Sequence, residues 1–248
     1  MTWKSIRRCG KVKEFHKKIP LSTGKIKTGE FLFEMMEEFA KVATRDFDTI
    51  GDLSFSYKER QLSSIFLPAF YNLGFGAMQE IPTRRKDLED NCSAGWLDYW
   101  VQKEDKWVYL IEVKHAWQFL NGTVTKDTLN KISASAEQLR KINGEALEEL
   151  SMVETTFKVS LIVLPIYRAV PASEEVEIYE EYVTPIEELD DFIGNKFVDE
   201  MLREAKEEVS WIGVWSLPER MQFSYERSYA STLGTYPGVI LIATLIAD

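Results

Sequence analysis

The sequence has little cysteine and histidine, no long apolar run and no stretch of biased composition. Its 248 residues include only Cys9, Cys92, His16 and His115 of these two types, and the cysteines have no Cys-x-x-Cys spacing. A zinc site built from cysteine and histidine ligands is therefore not expected, and a bound metal would need oxygen ligands.

No apolar run reaches the roughly 18 residues of a membrane span. Residues 1–18 lack the apolar segment of a secretory signal. P-loop, helicase and methyltransferase signatures are absent from the sequence, as are internal repeats and Gly/Pro/Ser-rich linkers. With 45% hydrophobic and 12% aromatic residues, we expect a cytoplasmic protein with a single domain over residues 1–248.

The net charge of −10 is unevenly distributed. Residues 1–28 carry nine Lys or Arg against Glu14 alone, while residues 171–209 carry fourteen Asp or Glu against three basic residues. The basic segment could contact nucleic acid, or it could be a solvated tail with no partner. The acidic segment could bind a protein partner or mediate a homodimer.

Apolar periodicity predicts the order of the elements. Residues 28–45 have the stripe of an amphipathic helix, and residues 56–73 predict a second helix that Pro68 would kink. The remaining predictions are a strand over 74–81, a polar loop over 83–93, a helix over 126–143 with a further turn or two at 145–152, a buried strand over 157–167, a helix over 185–209, and strands over 211–216 and 239–246.

Residues 95–114 read as a hairpin, with strands over 95–101 and 107–114 and a polar turn between them. Asp98 interrupts the first apolar run, and Glu112 and Lys114 end the second. Side chains alternate along a strand, so Glu112 and Lys114 point to the same face. Two carboxylates on adjacent strands, with the Val113 carbonyl, could hold Mg²⁺ or Mn²⁺, and a lysine beside them suits phosphodiester hydrolysis.

Asp98, thirteen intervening residues and then Glu112-Val113-Lys114 resemble the PD-(D/E)xK signature of the restriction-endonuclease-like nucleases. Three (D/E)xK triplets occur, but only this one ends an apolar strand behind a second strand that bears a carboxylate. Leu97 stands where the signature has proline. The resemblance implies an α/β fold with a mixed β-sheet core over about 56–167, flanked by helices. Residues 1–55 and 168–248 would then be N-terminal and C-terminal additions.

By the same resemblance, Asp98 and Glu112 would be metal ligands and Lys114 the catalytic lysine. Glu59 would be the helix carboxylate that contacts the metal, although the helix dipole alone favours an acidic residue in a first turn. Gln138 would be the polar residue that some members place near the active site, or it lies on a solvated helix face.

Other residues near the hairpin have two interpretations. His115 could contact a phosphate or be a surface histidine after a strand. The four tryptophans of this region are interpreted as packing residues, although an exposed Trp117 could stack on a base; they are Trp96, Trp100, Trp107 and Trp117.

The first functional hypothesis is a Mg²⁺- or Mn²⁺-dependent nuclease that acts on DNA, with the substrate guided by Arg84, Arg85 and Lys86 and by the basic first segment. RNA remains open as a substrate. The rival hypothesis is a nucleic-acid-binding or protein-assembly module that keeps the fold without the chemistry, with its charged residues forming an ion-pair network. A third hypothesis is a defence or mobile-element component that acts with a partner or guide.

Overall fold

The computed structural model describes residues 2–19, 23–86, 92–104, 107–142, 155–170, 183–222, 225–226 and 233–246. These residues form a ten-stranded sheet with helices on both faces. The strands are β1 Lys4–Ile6, β2 Gly10–Lys17, β3 Gly76–Lys86, β4 Cys92–Lys103, β5 Trp107–His115, β6 Gln118–Phe119, β7 Thr155–Val170, β8 Trp211–Ser216, β9 Tyr225–Glu226 and β10 Leu233–Ile246. The helices are α1 Thr23–Ile50, α2 Ser63–Asn72, α3 Lys126–Arg140, α4 Ile186–Phe192 and α5 Val198–Glu204.

The strand order is β1-β2-β8-β10-β7-β5-β4-β3, so strands from both ends of the chain lie in one sheet. The short strands β6 and β9 pair with β7 and β10. β5 and β7 are parallel neighbours, whereas the other long strands pair antiparallel. A parallel pair needs a crossover of about a dozen residues or more, which contains α3 here. The predicted mixed sheet flanked by helices is confirmed.

Alternation along β5 divides its side chains between two packed layers. Tyr109 and Ile111 pack in one core cluster with α1 and α2, and the ring of Phe31 on α1 stacks on Tyr109 with centroids 4.1 Å apart. Val108 and Leu110 pack with α3 in another cluster. The same alternation assigns residues 112 and 114 to the side of the sheet that α3 covers.

Several predicted elements are confirmed. β8 has the predicted bounds, α3 begins at the predicted residue, and β7 and β10 extend beyond the predicted strands. Pro68 lies inside α2. Among the described helices, none has the length and apolar character needed to cross a membrane. The turn predicted over 145–152 and the acidic residues 171–182 lie outside the described residues.

The prediction of a solvated basic tail is wrong, because much of this segment forms β1 and β2 and β2 pairs with β8. Its ammonium groups also pair with acidic residues far along the chain. Lys13 lies 2.5 Å from Asp190 and Lys18 lies 2.7 Å from Glu208. The basic first segment and the acidic late segment therefore partly neutralise each other within the molecule.

The predicted polar loop over 83–93 is wrong at both ends. β3 continues to Lys86 and β4 begins at Cys92, with Arg84 opposite Ala94 and Arg85 opposite Ser93. β4 pairs with β5 only over residues 99–103. The outer residues of β3 and β4 therefore form a two-stranded ribbon that continues past the β4–β5 pairing.

The helix predicted over 185–209 is interrupted and too long. A π-helical turn, Ile193–Phe197, separates α4 from α5, and α5 ends at Glu204. The chain then joins the sheet, because the Ser210 amide donates to the Ala243 carbonyl at 2.9 Å and Val209 is buried in the core. Backbone pairing with β10 thus replaces the last predicted helical turn.

Candidate active site

β4 and β5 separate at the acidic residues of the hairpin. Their pairing runs from Lys103 opposite Trp107 to Tyr99 opposite Ile111 and ends there. One step further, the same register would place residue 98 opposite residue 112. The two carboxylates of the predicted signature therefore lie where the ladder opens.

The side chain of Asp98 reaches across this opening to β5. Its Oδ2 accepts a hydrogen bond from the Val113 amide at 2.7 Å. The amide and carbonyl of one strand residue point to the same side of the strand. The Val113 carbonyl is therefore also directed towards β4, as a metal-ligand role for this oxygen would require.

β3 is irregular beside the same opening. Glu80 has a φ of 49°, in the left-handed region, and the β3–β4 pairs pass from Gln79 to Ile81 without it. This conformation costs a non-glycine residue about 1–2 kcal/mol. Backbone strain of this kind clusters at active sites and ligand clamps.

Glu112 is a carboxylate buried inside the sheet, with only 2% of its surface exposed. A buried charge is costly unless it is paired. The Lys114 ammonium donates to Glu112 Oε1 at 3.0 Å. The Ser135 hydroxyl on α3 donates to the Glu112 backbone carbonyl at 3.3 Å, which ties the strand to the helix.

Lys114 lies between three carboxylates. Besides Glu112, its Nζ is 3.7 Å from Glu59 Oε2 and 4.0 Å from Asp98 Oδ2. Burial by itself lowers the pKa of Lys114, but the negative charges of Glu112, Asp98 and Glu59 outweigh burial and raise it. Lys114 is therefore a cation at neutral pH when no metal is bound.

Glu59 reaches this group from a 3₁₀ turn, Glu59–Leu62, that precedes α2. The prediction that it lies in the first turns of a helix over 56–73 is wrong, since α2 begins at Ser63. Its Oε1 accepts a long hydrogen bond from the His115 amide, at 3.4 Å. Glu59 therefore contacts β5 through the His115 amide and the Lys114 ammonium.

Carboxylate oxygens are the ligands that a hard divalent cation prefers. Asp98, Glu112 and Glu59, when ionised, carry three negative charges against the single positive charge of Lys114, so a charge of +2 would neutralise the group. Within the described ranges, no group of three or more Asp, Glu, His or Cys side chains is arranged to hold a metal ion. The Lys114 ammonium occupies the space between the carboxylates, so a cation would have to displace it from some of them.

A cleft of about 630 Å³ opens beside these residues. Asp98, Glu59 and Val113 lie in its wall, whereas Glu112 and Lys114 are not among its lining residues. The other lining residues are Arg60, Ser63, Gln79, Glu80, Trp96 and Tyr99.

Two predictions about aromatic side chains are wrong. Trp96 is 61% exposed and lines the cleft instead of packing in the core, because it lies on the β3–β4 ribbon. His115 is buried rather than on the surface, and its Nε2 lies 3.1 Å from the Phe55 carbonyl oxygen. Burial lowers the pKa of His115, so the ring is neutral at pH 7. Trp100 is a packing residue as predicted, and Trp117 is half buried.

The remaining predicted residues are not among those that line the cleft. Gln138 is half buried on α3, one turn after Ser135 and two turns after Lys131, the residues of this helix that contact the end of β5. The backbones of Arg84, Arg85 and Lys86 lie in β3 on the ribbon, and their side chains lie outside the described part of the structure.

Sequence reasoning missed the basic residues around Glu59. Lys58 and Arg60 are both exposed, and a second cavity of about 510 Å³ contains both of them together with Lys131. The sequence signal was the Lys58-Glu59-Arg60 triplet itself, in which a cation stands on each side of the candidate metal ligand.

Comparisons of this chain with protein-family models, with curated proteins and with solved structures found no match. The function must therefore be argued from the residues of the cleft.

Proposed function

We propose that this protein is a divalent-metal-dependent nuclease that hydrolyses phosphodiester bonds in DNA, on a restriction-endonuclease-like core. The observation that carries the proposal is the position of Lys114 between Glu112, Glu59 and Asp98, of which Glu59 and Asp98 line a cleft. The order of elements along the chain also supports it, because it matches the order that the resemblance implies. The turn bearing Glu59 comes first, followed by β4, β5, α3 and the parallel strand β7.

Each side chain has a role that follows from its chemistry. Asp98, Glu112, Glu59 and the Val113 carbonyl would hold Mg²⁺ or Mn²⁺, which polarises a phosphoryl oxygen and lowers the pKa of bound water. The Lys114 ammonium would stabilise the negative charge that builds up on the phosphoryl group.

The proposal is tested by incubating the purified protein with labelled single-stranded and duplex DNA and RNA, in Mg²⁺, in Mn²⁺ and in EDTA. We expect cutting that requires the metal and that Lys114→Ala abolishes. Lys141→Ala is the matched control, because Lys141 also pairs with a glutamate, Glu137, at 2.6 Å but lies on the exposed end of α3. Absence of cutting of all four substrates contradicts the proposal, as does cutting that Lys114→Ala leaves unchanged.

A binding or assembly module without catalysis is the second candidate. It is favoured by the ion pairs of Lys114, which balance the buried Glu112 without a metal. Thermal unfolding in Mn²⁺ separates the two candidates, because a ligand that binds only the folded protein raises its stability by mass action. If the site binds metal, Mn²⁺ raises the thermal stability of the wild type but not that of Asp98→Ala or Glu112→Ala. If the charged residues form a closed ion-pair network, Mn²⁺ changes the stability of none of the three proteins.

A further inference from the structure

The cleft beside Asp98 and the second cavity share two wall residues, Glu59 and Arg60. We call the first the acidic cavity and the second the basic cavity. The basic cavity is also lined by Lys58, Gln61, His115, Trp117 and Lys131. The two cavities are therefore adjacent at the 3₁₀ turn of Glu59, and we refer to the pair as the groove.

The charges of the two cavities are opposite. The acidic cavity has Glu59, Glu80 and Asp98 against Arg60. The basic cavity has Lys58, Arg60 and Lys131 against Glu59, and the His115 side chain in its wall is buried. The negatively charged cavity and the positively charged cavity are thus neighbours, and both border the 3₁₀ turn of Glu59.

Lys58 and Arg60 differ from the basic residues of the first segment. Lys13 and Lys18 pair with carboxylates, whereas neither Lys58 nor Arg60 forms an ion pair with a carboxylate of the described residues. Both are exposed at the rim of the groove. Lys131 also lines the basic cavity, held by Asp127 at 2.8 Å and by the His115 carbonyl at 2.7 Å. Three cationic side chains therefore line this cavity, and that of Lys131 is already paired with Asp127.

Each cavity also has a tryptophan in its wall. Trp96 is exposed in the acidic cavity. Trp117 is fixed in the basic cavity by edge contacts with His115 and Tyr167, with ring centroids 5.1 Å and 5.9 Å away. An aromatic face can stack on any unpaired base, whereas the bases of a duplex already stack on each other.

We propose that this groove binds a single strand of nucleic acid, with phosphates on Lys58, Arg60 and Lys131 and with unpaired bases on Trp96 and Trp117. A basic groove combined with aromatic side chains is the arrangement that binds single strands without sequence preference. The consequence for the site rests on the proposed function: the bond to be cut would lie in an unpaired strand or at an unpaired end.

The test is binding in EDTA, so that it does not depend on cleavage. Anisotropy of a labelled 12-nucleotide single strand is titrated with the whole chain between 50 and 200 mM salt, beside a blunt duplex of the same sequence. We expect the single strand to bind more tightly. Removing two phosphate contacts in Lys58→Ala/Arg60→Ala should make the slope of log affinity against log salt shallower by about 1.4.

The aromatic contacts are tested with Trp96→Ala, for which we expect binding at least about 5-fold weaker, with recovery in Trp96→Phe because the ring face returns. Lys18→Ala is the control, since Lys18 pairs with Glu208 outside the groove. Circular dichroism and thermal unfolding establish that each variant is folded. A variant that does not fold is replaced by Lys58→Gln/Arg60→Gln or by Trp96→Tyr.

Equal affinity for the duplex, an unchanged salt slope in the double variant, or full affinity in Trp96→Ala overturns the proposal. Selective single-strand binding by a protein that cuts nothing in Mg²⁺ or Mn²⁺ supports the groove while removing the nuclease function. Metal-dependent cutting with no selective single-strand binding supports the nuclease function and overturns the proposal of a single-strand groove.

Discussion

Replacing Lys114 with alanine tests the electrostatics of the candidate site apart from any activity. The substitution removes the ammonium that lies 3.0 Å from the buried Glu112. Removing one partner of a buried ion pair costs about 3–5 kcal/mol. We expect a value near 3 kcal/mol, because the Lys114 side chain is 16% exposed and water can replace part of the lost pairing.

The cost should depend on pH. Without the ammonium, the pKa of the buried Glu112 rises above that of the unfolded chain, so protonation at low pH relieves the penalty. The difference in stability between wild type and Lys114→Ala should therefore be smaller at pH 5 than at pH 8. In the double variant Lys114→Ala/Glu112→Gln, the loss of unfolding free energy should be smaller than the sum of the losses in the two single variants.

Urea unfolding followed by tryptophan fluorescence measures these differences in EDTA. Adding Mn²⁺ should return part of the lost stability to Lys114→Ala, since the cation can take the place of the ammonium among the carboxylates. A loss below about 1 kcal/mol at pH 8 would refute the reasoning, because such a value is typical of an exposed ion pair.

Three further predictions follow from single contacts. Asp98→Asn should fold and should lose most of the Mn²⁺-induced rise in melting temperature, as measured by differential scanning fluorimetry against Glu137→Gln as the surface control. Glu80→Gly should raise the free energy of unfolding by about 1 kcal/mol in urea, because glycine adopts the φ of 49° without strain; an unchanged or lower stability contradicts this. The lowered pKa of His115 means that the unfolded chain binds this proton more tightly, so stability should fall as pH drops below about 6.5. His115→Gln should weaken this pH dependence in pH-resolved unfolding, and an identical pH profile for both proteins rules out His115 as its source.

The order of elements around the site could be predicted from the sequence because each element has a pattern within its own short stretch of residues. Strand alternation placed Glu112 and Lys114 on one face, and the apolar runs bounded β5, α3 and β7. The neighbourhood of Glu59 could not be derived from periodicity, because a 3₁₀ turn has no apolar repeat of its own and its position depends on a contact with β5.

Long-range pairing explains the largest errors. The first residues form strands because β2 pairs with β8, about two hundred residues later, and a charge count cannot reveal such a partner. The exposure of Trp96 depends likewise on how far the β3–β4 ribbon extends past β5. The left-handed backbone at Glu80 has no sequence signal, since glycine would be the residue expected there.

The most direct test of the account is a crystal structure of the protein soaked in Mn²⁺, with anomalous scattering used to locate the metal. The account predicts a peak in contact with the carboxylates of Asp98 and Glu112, with the Lys114 ammonium displaced from its present position between them. A structure at saturating Mn²⁺ with no peak at this place, and with Lys114 still 3.0 Å from Glu112, would contradict the account.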